Sequence, residues 1–186
     1  MILHTGKKMV LIAFLGNPGN KYVSTRHNIG FIIGEYFTKE YKIKCTQKAF
    51  LGFTGTGKIE EKDVCVLVPH TYMNNSGKSV SQALNFYKLE PKSLIAVHDE
   101  IEFNFGRFEM KFGGGHKGHN GIRSIMSFID TGDFNRLRFG VGRPDDSRIS
   151  VSDYVLGNFF NTELEEIKSK LPDVCSMLVE AVKGCE

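Results

Sequence analysis

The stretch VLIAFLGNPG, residues 10–19, decides how the chain begins to fold. Val10 to Leu15 is a continuous apolar run, and Gly16 to Gly19 ends it. A short apolar run that stops at such residues is typical of a buried strand followed by a turn. From Asn28 onward the apolar residues recur at helical spacing, which predicts a helix over residues 28–40 with Asn28 as its cap.

Strand and helix patterns alternate along the rest of the chain. The predicted strands cover residues 50–58, 64–68, 94–97, 107–112 and 136–141, and the predicted helices cover 76–88, 122–130, 151–156 and 162–184. Residues 60–63 form a turn that joins two of the strands in a hairpin. Pro172 lies inside the last helix and is expected to kink or split it.

This order predicts an α/β fold with a twisted, mixed β-sheet flanked by helices. A length of 186 residues fits one domain. We expect residues 9–186 to form that single domain and residues 1–8 to be a flexible N-terminal extension.

Composition limits the class of protein. No apolar run reaches the roughly 20 residues that cross a bilayer, so no membrane partner is expected. The four cysteines are far apart in the sequence, which favours free thiols and a cytoplasmic location. Residues 161–186 hold six acids and three bases, which leaves 21 bases against 15 acids elsewhere. This basic body suits an anionic partner, although a solvated surface explains it equally well.

Polar loops follow several of the predicted strands. They cover residues 16–28, 69–76 and 98–105, and a glycine-rich loop at 113–121 follows a fourth strand. In α/β sheets the functional site lies beyond the carboxyl ends of the strands, where such loops meet. We therefore expect the site at this edge.

Phosphate binding and metal binding are two alternatives for the glycine-rich and histidine-containing segments. Gly52 to Lys58 matches the spacing of a phosphate-binding loop, but Ile59 stands where Ser or Thr would bind Mg²⁺, and a strand pattern follows instead of a helix. His116 and His119, together with His27 and the segment 98–100, offer enough ligand types for zinc or a two-metal hydrolase. A glycine-rich loop fixes no common face for the two histidines, so this option rests on ligand count alone.

Metal-free hydrolysis fits the same loops. His27 follows the first strand and could act as a base near neutral pH. Asp99, at another strand end, could hold the second ring nitrogen of His27. No serine or cysteine lies in a nucleophile-elbow motif, so water is the expected nucleophile. Amide side chains that can grip a peptide backbone stand in these loops at Asn17, Asn28, Asn74, Asn75 and Asn120.

Several segments together resemble the bacterial-type peptidyl-tRNA hydrolase family. They are GNPGNKYVSTRHNIG at 16–30, YMNNSG at 72–77, HDE at 98–100, KFGGGHKGHNG at 111–121, RLRFGVGRP at 136–144 and VLG at 155–157. The segments occur in the family's order and span most of the chain. The resemblance implies a single α/β domain, normally monomeric and without a metal or other cofactor, that cleaves the ester between a peptide and tRNA.

The resemblance also implies roles for individual residues. His27 is expected to be the general base on water, Asp99 to orient it, and Asn17 to read the peptide carbonyl. Other residues are expected to contact the tRNA end, the peptide or tRNA phosphates: Tyr22, Tyr72, Met73, Asn74, His119, Asn120, Lys111, Arg138 and Arg143. Phosphate contacts of this kind position the nucleic acid without reading its sequence.

A few positions depart from the family pattern. Tyr72 stands where Phe is common, and Asp145-Asp146 replaces a basic residue, with Arg148 close by. The main rival interpretation is a non-catalytic RNA-binding member of the same fold. The presence of His27, Asp99 and Asn17 favours the enzyme.

Overall fold

The structure is a computed structural model that describes residues 9–185. One seven-stranded sheet has the strand order β2-β3-β4-β1-β5-β7-β6. The strands are β1 (Val10–Phe14), β2 (Gln47–Ala49), β3 (Gly52–Ile59), β4 (Lys62–Pro69), β5 (Leu94–Glu100), β6 (Phe108–Phe112) and β7 (Asn135–Gly140). The helices are α1 (Ile29–Glu40), α2 (Ser76–Tyr87), α3 (Asn120–Ile129), α4 (Val151–Leu156) and α5 (Asn161–Gly184).

β1 is the centre of the sheet, as the opening stretch predicts. It runs parallel to β4 on one side and to β5 on the other, and all five of its residues are buried. β7 continues the parallel part, whereas β2–β3–β4 and β6–β7 pair antiparallel. The predicted mixed α/β sheet is therefore confirmed.

The residues of β1 alternate between two cores, because successive side chains of a strand point to opposite faces. Val10, Ile12 and Phe14 belong to one apolar cluster, which includes residues of α1 and α5. Leu11 and Ala13 belong to the other, which includes residues of α2 and α3. Helices thus cover both faces of the sheet and leave the carboxyl edge of the parallel strands to the loops.

Three details differ from the sequence prediction. The edge strand β2 was not predicted, since only three residues form it and they are largely exposed. Helix α5 continues through Pro172 without being split. Asn28 occupies the cap position of α1, but its side chain makes no cap hydrogen bond because it bonds to Asn17 instead.

The expected N-terminal extension, residues 1–8, lies outside the described residues. The four cysteines are free thiols. Among residues 9–185, no helix combines the length and the apolar character that a bilayer crossing requires.

Candidate active site

A cleft of ≈ 700 Å³ lies at the carboxyl ends of β1 and β5. Most of the predicted site residues line it: Asn17, Tyr22, His27, Tyr72, Met73, Asn74, Asp99, Asn120 and Arg143. Asp99 lies near the end of β5, and the loops that follow β1, β4 and β7 and the start of α3 supply the other side chains. The expected site at this edge of the sheet is therefore present as a single cavity.

His27 and Asp99 meet at the floor of the cleft. His27 lies in a short 3-10 turn, Arg26–Asn28, that leads into α1. The close approach of that turn to the end of β1 requires glycine at position 30. A Cβ there would lie only 2.3 Å from the carbonyl oxygen of Leu15. The Nδ1 atom of His27 is 2.8 Å from Oδ1 of Asp99, and both residues are buried. The Nε2 atom of His27 is left for the cleft.

His119 binds the same carboxylate from the other side. Its Nε2 atom is 2.8 Å from Oδ1 of Asp99. Its Nδ1 atom accepts hydrogen bonds from the backbone N–H groups of Gly121 and Ile122, so the ring caps the start of α3. An accepting Nδ1 requires the proton on Nε2. His119 was predicted to contact substrate; it does not line the cleft but faces Asp99, with its side chain 10% exposed.

Burial and hydrogen bonds shift the pKa values of His27, Asp99 and His98. Burial alone would lower the pKa of His27, but the charge and the hydrogen bond of Asp99 together outweigh burial and raise that pKa above 6.5. Burial alone would raise the pKa of Asp99, but the His27 and His119 rings hold it well below its ordinary range. Burial and the neighbouring His119 hold the pKa of His98 well below 6.5. Asp99 is therefore a carboxylate, and His98 is a neutral ring behind it.

Asn17 is fixed by a network of hydrogen bonds. Its backbone N–H donates to Oδ1 of Asn28, and Nδ2 of Asn28 donates to the carbonyl oxygen of Asn17. The side-chain Oδ1 of Asn17 accepts from the backbone N–H of Met73 at 2.7 Å. Within residues 9–185, its Nδ2 atom has no hydrogen-bond partner. The amide therefore presents donors to the cleft in one fixed orientation.

The rim of the cleft is aromatic on the side of Asn17. The rings of Tyr22 and Tyr72 meet edge to face at 6.4 Å, and Tyr72 is 59% exposed. Met73 is buried beside them, and its sulfur fills the space above Gly121. Asn74 and Asn120 are exposed and also line the cleft.

The predicted metal option takes a different form in the structure. Among the described residues, His27, Asp99 and His119 place potential ligand atoms within 4.8 Å of one another. His116 is not in this group, which agrees with the argument that the glycine-rich loop fixes no common face for His116 and His119; its Nδ1 accepts from the N–H of Gly118. Both ring nitrogens of the group lie at N–H···O distance from one carboxylate oxygen. This geometry is that of one carboxylate oxygen that accepts a hydrogen bond from each of two histidine rings.

Comparison with known proteins identifies the family. The model of the family described as "Peptidyl-tRNA hydrolase" matches residues 11–186. A peptidyl-tRNA hydrolase of Syntrophotalea carbinolica is 42% identical over 175 residues, which are 94% of this chain and 89% of that protein. One of Clostridium perfringens is 43% identical over 176 residues, which are 95% of this chain and 92% of the relative. The crystal structure of peptidyl-tRNA hydrolase from Acinetobacter baumannii superposes with a TM-score of 0.88 at 40% identity, covering 95% of this chain and 89% of that one.

The chain belongs to the peptidyl-tRNA hydrolase family. This membership agrees with the resemblance that the sequence motifs carry. It also removes the phosphate-binding loop as an alternative, since residues 52–59 form strand β3 of this fold and no helix follows them.

The predicted cations of this peptidyl-tRNA hydrolase are not all available to a phosphate. Arg138 is buried and pairs with Glu100 and Glu109, so the prediction of a free surface cation at this position is wrong. Arg143 lines the cleft mouth and pairs with the exposed Glu102. Lys111 lies on β6 outside the cleft and, among residues 9–185, forms no ion pair.

Lys117 is a cleft residue that sequence reasoning missed. It lines the cavity next to Gly118, in the glycine-rich loop of the hydrolase. Its position inside the motif HKGHNG was visible, but nothing in the spacing separated it from other surface lysines. Lys117 and Arg143 together make this side of the cleft the basic one.

Arg136 holds the glycine-rich loop in place. The guanidinium donates to the carbonyl oxygens of Gly115 at 2.8 Å and Gly132 at 3.2 Å, and it also contacts that of Gly114. Gly114 has a φ of 96°, where a side chain is strained. The permissive backbone of this loop therefore serves an internal anchor, and His119 and Asn120 follow from it into α3.

Helix α4 also lines the cleft, and Arg26 attaches it to the turn that carries His27. The Arg26 guanidinium donates to the carbonyl oxygen of Asn158 at 2.8 Å and pairs with Glu163 at 2.9 Å. It also lies over the ring of Tyr154 at 4.5 Å. The apolar face of α4 completes the cleft through Val151, Val155 and Leu156.

Proposed function

We propose that His27 is the general base that activates water to hydrolyse the ester between peptide and tRNA, and that Asp99 orients and polarises its ring. The family to which the chain belongs supports the reaction. The 2.8 Å contact between Nδ1 of His27 and Oδ1 of Asp99 is the observation that carries the assignment. A base whose second nitrogen is held by a carboxylate can take a proton through its free nitrogen.

The reaction follows from this arrangement. Nε2 of His27 removes a proton from water as the water oxygen attacks the ester carbonyl. The tetrahedral intermediate collapses, the bond to the ribose oxygen breaks, and His27 returns its proton to that oxygen. The products are tRNA with an intact terminal ribose and a peptide carboxylic acid, which releases its proton to solvent and becomes a carboxylate.

We assign Asn17 two roles: it binds a carbonyl of the substrate, and it selects peptidyl-tRNA over free aminoacyl-tRNA. Its Oδ1 is occupied by the N–H of Met73, so its Nδ2 donors face the cleft. A donor fixed in this way can bind a peptide carbonyl, which peptidyl-tRNA has and free aminoacyl-tRNA lacks at that position. We assign Asn74 and Asn120 to further contacts with substrate, and Tyr22, Tyr72 and Met73 to the surface that the substrate crosses.

The tRNA end belongs on the basic side of the cleft. Lys117 and Arg143 line the cavity there, and we assign Lys111 on β6 to a further phosphate contact. We propose that the protein acts as a monomer in the cytoplasm, without a cofactor, through the single domain of residues 9–186.

The test is hydrolysis of N-acetyl-aminoacyl-tRNA by the purified protein in EDTA. The His27→Ala variant should lose several orders of magnitude in kcat/KM, and His116→Ala, a histidine of the neighbouring loop, should retain activity. Full activity in His27→Ala would remove the base assignment. A requirement for added metal would instead favour metal catalysis by the group of His27, Asp99 and His119. A protein that binds structured RNA but hydrolyses nothing would support the RNA-binding alternative.

A further inference from the structure

The tip of the β2–β3 hairpin holds a side chain that its own packing does not explain. Phe50 and Leu51 form the two-residue turn, with φ of 51° and 57°. This left-handed conformation suits Asn or Gly and strains a bulky residue. Phe50 is compensated by packing on the rings of Phe86 and Tyr87. Leu51 is 46% exposed, so burial does not compensate it. Strain of this kind is concentrated at functional sites.

Two depressions connect this tip to the cleft. The first, ≈ 370 Å³, shares Tyr72 and Asn74 with the cleft. The second, ≈ 510 Å³, shares His70 and Thr71 with the first and ends against Leu51. The backbone N–H of His70 donates to the carbonyl oxygen of Leu51 at 2.8 Å, which attaches the hairpin tip to the segment entering the cleft. The surface is therefore continuous from His27 to the hairpin.

The chemistry of this surface separates it from the tRNA side. No carboxylate lines either depression, and Lys48 and His70 are the ionisable residues of their linings. Ala49, Leu51 and Phe53 give the far end its apolar character, with the Phe53 ring edge to face with His70 at 5.4 Å. The apolar far end fits an uncharged chain with apolar side chains, and the two cations that line the cleft, Lys117 and Arg143, lie outside both depressions.

The strand order of the sheet gives the distance between the hairpin tip and Asp99. In strand order, β4 and β1 lie between β3 and β5, so three strand spacings separate the hairpin from Asp99. At about 4.8 Å per spacing this is roughly 14 Å. An extended peptide advances about 3.4 Å per residue, so its fourth residue from the ester reaches the hairpin.

We propose that the peptide of peptidyl-tRNA leaves the cleft over Tyr72 and His70, and that an apolar side chain about four residues from the ester binds against Leu51 and Phe53. This inference rests on the proposed function. It makes the hairpin tip a peptide subsite and places peptide and tRNA on opposite sides of His27.

The test compares a short and a long substrate. Leu51→Asn removes the apolar contact and places a residue that tolerates a positive φ in the turn, so the fold is retained or stabilised. We expect kcat/KM on a hexapeptidyl-tRNA with Leu as the fourth residue from the ester to fall about five- to tenfold, mainly through KM. Activity on N-acetyl-aminoacyl-tRNA should be unchanged. Phe128→Asn, which alters a similarly exposed side chain on α3, should change neither value.

The outcomes separate this subsite from the catalytic assignment. An equal loss on both substrates, or no loss on the long one, would overturn the subsite. So would a change from dimer to monomer in sedimentation, because it would assign the surface to a second copy of the chain. An amide-linked hexapeptidyl-tRNA, which resists ester hydrolysis, tests the subsite whether or not His27 is the base. Leu51→Asn should weaken equilibrium binding of this amide-linked hexapeptidyl-tRNA by the same factor.

Discussion

Replacing Asp99 by Asn removes one charge from the cleft and leaves the side-chain shape nearly unchanged. The Asp99 oxygen lies 2.8 Å from the His27 nitrogen, and the two side chains are 2% and 9% exposed, so water screens the pair little. When His27 takes a proton from water, the charge centres lie about 4 Å apart. At an effective dielectric constant of about 20, their attraction is about 4 kcal/mol. The amide keeps a hydrogen bond and loses this attraction, so we expect kcat/KM to fall about a thousandfold.

The assay is the pH dependence of kcat/KM on N-acetyl-aminoacyl-tRNA. Asp99 raises the pKa of His27, so removing its charge lets burial act without opposition and lowers that pKa. The acid limb of the profile should therefore move to lower pH, and the thousandfold loss should be measured on the plateau, where His27 is neutral in both proteins. Asp63→Asn, which alters a carboxylate on β4 far along the sheet, is the control. A variant of Asp99 that keeps more than about a tenth of the plateau activity, or an unmoved acid limb, would refute the electrostatic role.

Three other predictions concern the same scaffold. In the unaltered protein, kcat/KM on N-acetyl-aminoacyl-tRNA should rise with pH through a pKa above the ordinary histidine value, because Asp99 raises the pKa of His27 and only the neutral ring is a base. A kcat/KM that does not change between pH 6 and 8 would contradict this. Gly77→Ala should lower the free energy of unfolding by about 2 kcal/mol in urea titrations, since the new Cβ would lie 2.1 Å from the carbonyl oxygen of Ser124. Lys78→Ala, at the exposed neighbouring position of the same helix, is the control. Arg26→Met should cost about 3 kcal/mol by the same measurement, because it leaves Glu163 without its buried partner. A loss below about 1 kcal/mol would show that the guanidinium contacts do not stabilise the fold.

The sequence predicted the parts of the fold that depend on local pattern. The apolar run at residues 10–15 and the helical spacing after Asn28 were sufficient for the β1–α1 unit, and the acidic turn was sufficient for the β3–β4 hairpin. Pro172 was predicted to kink or split the last helix, but α5 is not split, because its buried residues on both sides of Pro172 pack into one apolar core. β2 is too short and too exposed to carry an apolar alternation.

The candidate site could also be predicted only in part. Asp99 and His27 could be paired from the sequence, because strand ends of a parallel sheet meet at one edge. The position of His119 could not, since it depends on where the glycine-rich loop turns into α3. Burial of Arg138 was also hidden, because the two carboxylates that neutralise it come from β5 and β6, distant in the chain.

The bonds of His119 also limit where a proton can travel. Nδ1 is occupied by two amide groups and Nε2 by Asp99, so this ring can neither accept nor pass on a proton without uncapping α3. A proton taken from water thus stays on His27 until the ribose oxygen receives it. One moving proton should give a linear proton inventory: kcat/KM should decline in direct proportion to the deuterium fraction of the solvent, and a curved plot would reveal a second proton in flight.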